Sequence, residues 1–436
     1  MMLSLPKYDC YKDSGVDWLG EIPAHWQVKK LKYVSLFVTT GKTPPSSNQS
    51  YFDGDIDWFT PADFNENLYL KNSKRTITEK ALLAENLKLY PPLSVLLIGI
   101  GATVGKIGII QKSAFSNQQI NAINFNQKLV NPIYGMYYLE GNKEKIKYFA
   151  NVVTLPIFNQ SDTKNLIILT PPLKEQERIV KFLDRKCEEV ESAIALKQKL
   201  IILLEEQRAV LINEAVTKGL NPNAPMQDSG IDWLGDIPAH WEVKKLKYMG
   251  TAIIGLTYAP KDLTDENNGT LVLRSSNIQN GKICFKSNVF VKSKIPKHLI
   301  TKRHDILICS RNGSRELIGK NALIEEKSIG LSFGAFTTVF RSHFNPFLYY
   351  IFNSNIFKSQ SGLFLTSTIN QLTTGTLNNF KIPIPPIEEQ EKIVEYLEKK
   401  TAEIEELKEK TLEQIEKLKE FKQILIAEAV TGKIKV

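Results

Sequence analysis

A block of twenty-one residues occurs twice in this chain. Asp13–Tyr33, reading Asp-Ser-Gly-Val-Asp-Trp-Leu-Gly-Glu-Ile-Pro-Ala-His-Trp-Gln-Val-Lys-Lys-Leu-Lys-Tyr, returns as Asp228–Tyr248, with only Val16, Glu21 and Gln27 replaced, by Ile231, Asp236 and Glu242. A second block recurs at nearly the same spacing. Pro171-Pro172-Leu173-Lys174-Glu175-Gln176-Glu177-Arg178-Ile179-Val180 matches Pro385-Pro386-Ile387-Glu388-Glu389-Gln390-Glu391-Lys392-Ile393-Val394. The offsets are 215 and 214 residues in a chain of 436, so a unit of about half the chain has been duplicated. Between the shared blocks, residues 35–170 and 250–384 have largely diverged. Two like frames around two unlike inserts suggest one kind of partner held twice and two different things read.

The length exceeds one ordinary core, and 42% apolar with 24% charged residues is a globular composition. Cys10, Cys187, Cys284 and Cys309 show neither pairing nor metal spacing, which suits a reducing compartment. No signal peptide is read ahead of Pro6. The longest apolar run, Leu93 to Ile110, is broken by glycines and carries Lys106, so no membrane span is expected. The expectation is a cytoplasmic protein.

Net charge is +9, and the inserts hold the excess: sixteen Lys and Arg against seven Asp and Glu in 250–384, thirteen against ten in 35–170. A basic insert on a near-neutral frame suits a polyanion, because neutralising phosphates releases counterions. An ordinary solvated basic surface would read the same way.

Each Pro-Pro pair forbids helix just upstream and is followed by a long run of Glu, Lys, Gln and Leu. Ile179, Leu183, Val190, Ala193, Leu200, Leu204 and Leu211 fall on a heptad grid. So do Ile393, Leu397, Ile404, Leu407, Leu418, Phe421 and Leu425, with Lys400, Thr411 and Gln414 as interruptions. Gly219 and Gly432 stand where a C-terminal stop belongs. Two such rods in one chain can pair antiparallel. Leu183, Val190, Leu204 and Leu211 would then face Leu397, Ile404, Leu418 and Leu425. The predicted fold class is α+β: two mixed α/β domains separated by two long antiparallel helices, with an internal pseudo-twofold duplication. The predicted domains are 1–170 (repeated segment 13–34), helix 171–220, linker and second domain 221–384 (repeated segment 228–249), and helix 385–436.

The inserts read as mixed α/β, with short strands at 94–98, 271–273, 283–285, 288–291 and 305–308. Val104-Gly105-Lys106 recurs as Ile318-Gly319-Lys320, so the inserts share a fold beneath their divergence. Gly99 to Ile107 resembles a phosphate loop but has Ile100 where glycine is needed and Ile107 where Ser or Thr is needed. A strand–turn–strand corner with Lys106 near a phosphate fits better, and Lys320 is its repeat. Asp305 with Glu325-Glu326-Lys327 has a nuclease-like spacing but no counterpart in the first insert. His25, His240, His298, His304 and His343 form no ligand cluster, and no Pro-Pro pair carries the tetrapeptide of an amino-methyltransferase. No catalytic or metal site is expected.

What remains is polar and loop-like. Arg274, Ser275 and Asn277, with Arg311, Asn312, Ser314 and Arg315, combine groups suited to guanine, adenine and phosphate. Thr60, Asp63, Asn117, Gln118, Gln119, Asn159 and Gln160 offer similar chemistry in the first insert. Asn370-Gln371 is taken as the parallel of Asn159-Gln160. Each of these also suits a turn stabilised by its own side chain.

The two copies of the Asp-Ser-Gly block, the Pro-Pro-x-x-Glu-Gln-x-x-Ile-Val helix starts and Asp305-Ile306-Leu307-Ile308-Cys309-Ser310-Arg311-Asn312-Gly313-Ser314 resemble specificity subunits of type I restriction–modification systems. The resemblance covers nearly the whole chain. It implies two target recognition domains, a bipartite double-stranded DNA target and a non-catalytic reading role. It also implies methyltransferase subunits, expected as two, and restriction subunits as partners. AdoMet, ATP and magnesium would sit on those partners and not on this chain. A self-contained DNA-modifying enzyme and a coiled-coil scaffold without a nucleic-acid role stay open as alternatives.

Overall fold

The computed structural model describes residues 6–150, 156–364 and 370–436, and these form two compact units. The first draws on residues 1–197 and 412–436, the second on 198–411. Each unit therefore contains one half of each long helix, Leu173–Lys218 and Ile387–Thr431.

Among the described residues, the first insert builds a central sheet in the order Ser35–Thr40, Ile120–Phe125, Val95–Ile98, Ile107–Ile110 and Tyr69–Leu70, antiparallel except at the last pair. The second insert repeats it as Thr251–Ile254, Thr337–Arg341, Ile306–Cys309 and Asn321–Leu323. Val95–Ile98 and Ile306–Cys309 are apolar at almost every position because both faces of the sheet are covered. Successive side chains point to opposite faces. Thus Val95 and Leu97 join a core with the long helices, while Leu96 and Ile98 join a second core with Trp58, Phe59 and Phe115. In the other unit Ile306 and Ile308 face the helix core, and Leu307 and Cys309 face Leu273 and Phe333. The two inserts share one mixed α/β fold, duplicated.

The two repeated blocks of each half meet in space. In the first unit the buried Glu175, in the opening turn of the first long helix, accepts from Trp26 Nε1 at 3.1 Å and lies 2.8 Å from His25 Nε2. Its neighbour Gln176 donates to the Pro171 carbonyl (2.8 Å) and the Leu129 carbonyl (3.0 Å) and accepts from Asn131 N–H (2.8 Å). In the second unit Glu389 repeats the junction with Trp241 at 3.1 Å and His240 at 2.7 Å. The same tryptophans receive the ends of the long helices. Gly432, at φ +73°, sits so close to Pro23 and Trp26 that a Cβ would lie 2.4 Å from Pro23 Cδ; Gly219, at φ +72°, abuts Trp241 and Glu389. Each repeated block thus holds the start of one long helix and the end of the other.

The long helices run antiparallel within each unit. In the first, Glu191 pairs with Lys422 (2.5 Å) and Lys197 with Gln414 (2.6 Å); in the second, Glu205 pairs with Lys408 (2.9 Å). Leu183, Val190, Leu204, Leu397, Ile404 and Leu425 are buried, and Leu211 and Leu418 are half-buried. The other ridge of the expected heptad grid is displaced by one residue. Leu200 and Leu407 are 38% and 46% exposed, and the covered ridge instead carries Cys187, Ile194, Ile201, Arg208 and Ala215 against Thr401, Lys408, Ile415, Lys422 and Ala429. Thr411, expected to interrupt the stripe, is buried, its hydroxyl bonded to the Leu407 carbonyl at 2.7 Å. A heptad contains spacings of both three and four, so apolar residues flank the true ridge on either side. Lys408 and Lys422 hid it, since long stems cover apolar surface while their charged ends reach Glu205 and Glu191.

Two outcomes follow from this packing. Leu204→Asp, which buries an unpaired charge, lowers the melting temperature by more than about 5 °C, whereas Leu200→Asp and Leu407→Asp stay within about 0.5 kcal/mol of the parent. Burial would by itself raise the Glu175 carboxyl, but the hydrogen bonds offered by its neighbours, His25 and Trp26 among them, hold it below its ordinary value. A depressed carboxyl stabilises the fold at neutral pH and loses that effect as pH falls through its folded value. The parent should therefore lose more stability between neutral and acid pH than Glu175→Gln, measured by thermal melts across that range.

Candidate nucleic-acid interface

Loops at one end of each central sheet are laced into a rim, and the lacing is the same in both units. Gly41 N–H donates to the Ile120 carbonyl (3.0 Å) as Gly255 N–H does to Thr337 (3.2 Å). Asn117 N–H donates to Phe59 (3.0 Å) as Gly334 does to Leu273 (2.9 Å). Gly99 donates to Gln119 (2.8 Å) as Ser310 does to Phe336 (3.0 Å), and Phe158 donates to Gly99 (2.7 Å) as Leu372 does to Ser310 (2.8 Å). The strands approach so closely that a Cβ on Gly41 or Gly255 would lie 2.3 Å from a carbonyl oxygen of the facing loop. The backbone of the rim is therefore shared, and only its side chains differ.

In the first unit Asp63 accepts from Thr60 N–H (2.7 Å), Thr60 Oγ1 (2.8 Å) and Lys74 N–H (2.8 Å), closing the turn that follows Phe52–Phe59. Asn117 is buried, its side chain bonded to Gln119. Gln118 is exposed and accepts from Thr43 Oγ1. Asn159 caps the helix Gln160–Asn165, and Gln160 donates to the Val38 carbonyl at 2.6 Å. Lys106 and Lys320 are half-buried at the residue before each returning strand, Ile107–Ile110 and Asn321–Leu323.

The second rim is more cationic. Arg274 occupies the position of Thr60 and donates to the Ser287 carbonyl at 2.9 Å, with its Nε buried and unpartnered. Asn277 occupies the position of Asp63. It is fully buried, accepts from Arg274 N–H (3.0 Å) and donates to the Cys284 carbonyl (2.9 Å), so it shapes the rim and does not reach out from it. Asn312 holds Ser314 N–H (2.9 Å) and reaches Ser275 Oγ (3.5 Å). Asn370 donates to the Gly313 carbonyl (3.0 Å), and Gln371 forms a β-bridge with Arg311. Arg311, Ser314 and Arg315 are exposed, Ser275 half-buried.

The equivalence expected between Asn370-Gln371 and Asn159-Gln160 fails. The bridge of Gln371 to Arg311 matches that of Ile157 to Ile100, and the residue that caps the corresponding helix is Thr373. The resemblance was one of residue type at an offset of 211, while the frame repeats at 214. Sequence reasoning also passed over Phe336, which is 61% exposed at the second rim and holds the position that Gln119 holds in the first. An apolar side chain gives no hydrogen-bond signal; only residue-by-residue matching of the two rims finds it. Among the described residues, no three His, Cys, Asp or Glu side chains converge as metal ligands do, and no helix is long and apolar enough to cross a membrane.

Two like frames with unlike polar rims, sharing two long helices, define a duplicated recognition protein. The model of the type I restriction modification DNA specificity domain matches residues 23–206 and again 238–417, and the chain belongs to that family. It is 27% identical over 429 residues to the MjaVIII specificity subunit of Methanocaldococcus jannaschii, covering 95% of this chain and 94% of that one. The EcoKI specificity subunit of Escherichia coli is 31% identical over 211 residues, 46% of this chain and 44% of that one. Among solved structures, a chain from work on complex assembly and conformational transition of the type I R-M system superposes with a TM-score of 0.71 at 18% identity, over 94% of this chain and 98% of that one. The HsdS subunit from Thermoanaerobacter tengcongensis does so at 0.52, with 18% identity and the same coverage. These structures share the fold.

The rim separates holders from reachers. Asn277→Ala leaves buried groups unpaired and should cost about 1–3 kcal/mol in a denaturation measurement. Arg311→Ala, on the exposed edge, should stay within about 0.5 kcal/mol.

Proposed function

We propose that this specificity subunit reads a two-part sequence in double-stranded DNA, each unit taking one part through its rim. In this reading it is a non-catalytic subunit that directs methyltransferase and restriction subunits to the site. The observation that carries the proposal is the pairing of one backbone frame with two sets of rim side chains. A shared frame suits a shared polymer and a shared partner, and different side chains suit different base sequences. The charge distribution supports it: the excess of Lys and Arg lies in the inserts that carry the rims, not in the repeated frame. Two copies of the frame suit two methyltransferase subunits. AdoMet, ATP and magnesium belong to the partner subunits, and the chain contributes the address.

In cells expressing the chain with its methyltransferase partner, mapping of modified bases should return one motif in two parts with a fixed gap. A continuous motif, or none, contradicts the proposal. Lys106→Ala should weaken all DNA sequences alike and reduce the slope of log affinity against log salt by about one, as loss of one phosphate contact does. Competition binding at several salt concentrations measures both.

A further inference from the structure

Phe336 and Arg311 stand together on the second rim. The Arg311 guanidinium carbon lies 5.4 Å from the centre of the Phe336 ring, and ring and arginine are both exposed. A singly exposed aromatic needs no explanation by itself. Here, however, the loops that carry the two side chains are locked together. Arg311 N–H and Ser310 N–H both donate to the Phe336 carbonyl at 3.0 Å, Ser310 Oγ reaches the same oxygen at 3.2 Å, and the Arg311 backbone bridges Gln371. None of the ion pairs among the described residues involves Arg311. The pair is pre-formed, with the guanidinium's donors not taken up by a carboxylate.

We propose that Arg311 and Phe336 act as one reading pair, Arg311 donating to a guanine edge and Phe336 packing on the C5-methyl group of a thymine at the neighbouring base step. This rests on the DNA-reading function proposed above and names the base chemistry of one half of the target. Arginine matches the O6 and N7 acceptors of guanine, and among the bases thymine offers an apolar group to the major groove. Stacked bases lie about 3.4 Å apart, so a guanidinium and a ring in contact are spaced to meet adjacent steps. The first unit does not repeat the pair at this place in its rim. Its equivalent positions are Ile100 and Gln119, so the two halves of the target should differ at this step.

The test uses the full chain with its methyltransferase partner and the mapped target. The half read by the second unit should contain a guanine beside a thymine. Replacing that thymine with deoxyuridine, which lacks only the methyl group, should weaken binding about three- to fivefold, the worth of one buried methyl. In Phe336→Ala the thymine and deoxyuridine targets should bind equally, while Phe336→Leu keeps part of the difference; melts confirm that these exposed-site variants fold. Arg311→Ala should lose its preference for the guanine by about 5- to 150-fold and keep its affinity for unrelated DNA. A half-site without that step overturns the proposal, as does an unchanged thymine–deoxyuridine ratio in Phe336→Ala. So does an Arg311→Ala variant weakened equally on every sequence. A parent chain with no sequence preference at all would instead sink the DNA-reading function itself.

Discussion

Each unit depends on one carboxylate. Glu175 and Glu389 sit in the first turn of a long helix, where a negative charge suits the helix dipole, and each receives an indole N–H and a histidine from the repeated block. That contact fixes where the helix begins and which face it turns inward. The Pro-Pro pair upstream and the neighbouring glutamine leave the chain little other choice. The far end of the other long helix then closes against the same tryptophan, and in the first unit Tyr134 Oη reaches the Val430 carbonyl at 3.4 Å. The last stretch of the chain thus completes the core begun by the first, which explains why the first unit is discontinuous in sequence.

This account also gives the repeated blocks a physical reason. From the sequence alone, the retained histidines form no ligand cluster, and nothing marks what they or the neighbouring tryptophans meet. The partner is the other repeated block. Two segments about 150 residues apart kept their residues together because each supplies half of one polar junction, part-buried in the first unit and more open in the second. The junction tolerates little change where it is enclosed: losing Glu175 leaves the buried Trp26 indole N–H unpaired, and losing Glu389 does the same to Trp241. The inserts, by contrast, need only keep the alternation of apolar residues that fills the two faces of their sheet.

Much was legible before the fold was known. The duplication, both long helices with their proline starts and glycine stops, and the apolar strands around 95–98 and 306–309 follow from spacing and residue type. The second ridge of the helix seam was not legible, because its sites include Arg208, Lys408 and Lys422, and the two lysines cover the seam with their stems while their charges reach Glu205 and Glu191. Nor was the division of labour in the rim. Asn277 and Arg311 look alike as candidates for base contact, and only burial tells that the first is enclosed within its own loop while the second is exposed. Phe336 carries no hydrogen-bonding group to mark it in the sequence.

The rim's backbone is set by hydrogen bonds common to both halves, so its exposed side chains, Arg311 and Phe336 among them, can differ while enclosed ones such as Asn277 hold the loops. On the proposed function, such an arrangement lets the sequence read change while the frame stays the same. The central claim is that each unit reads by itself. Exchanging residues 250–384 for the corresponding insert of another family member, and mapping modified bases in cells that also express the methyltransferase partner, tests it directly. One half of the target should change, with the other half kept. A hybrid that alters both halves together, or neither, would contradict the account.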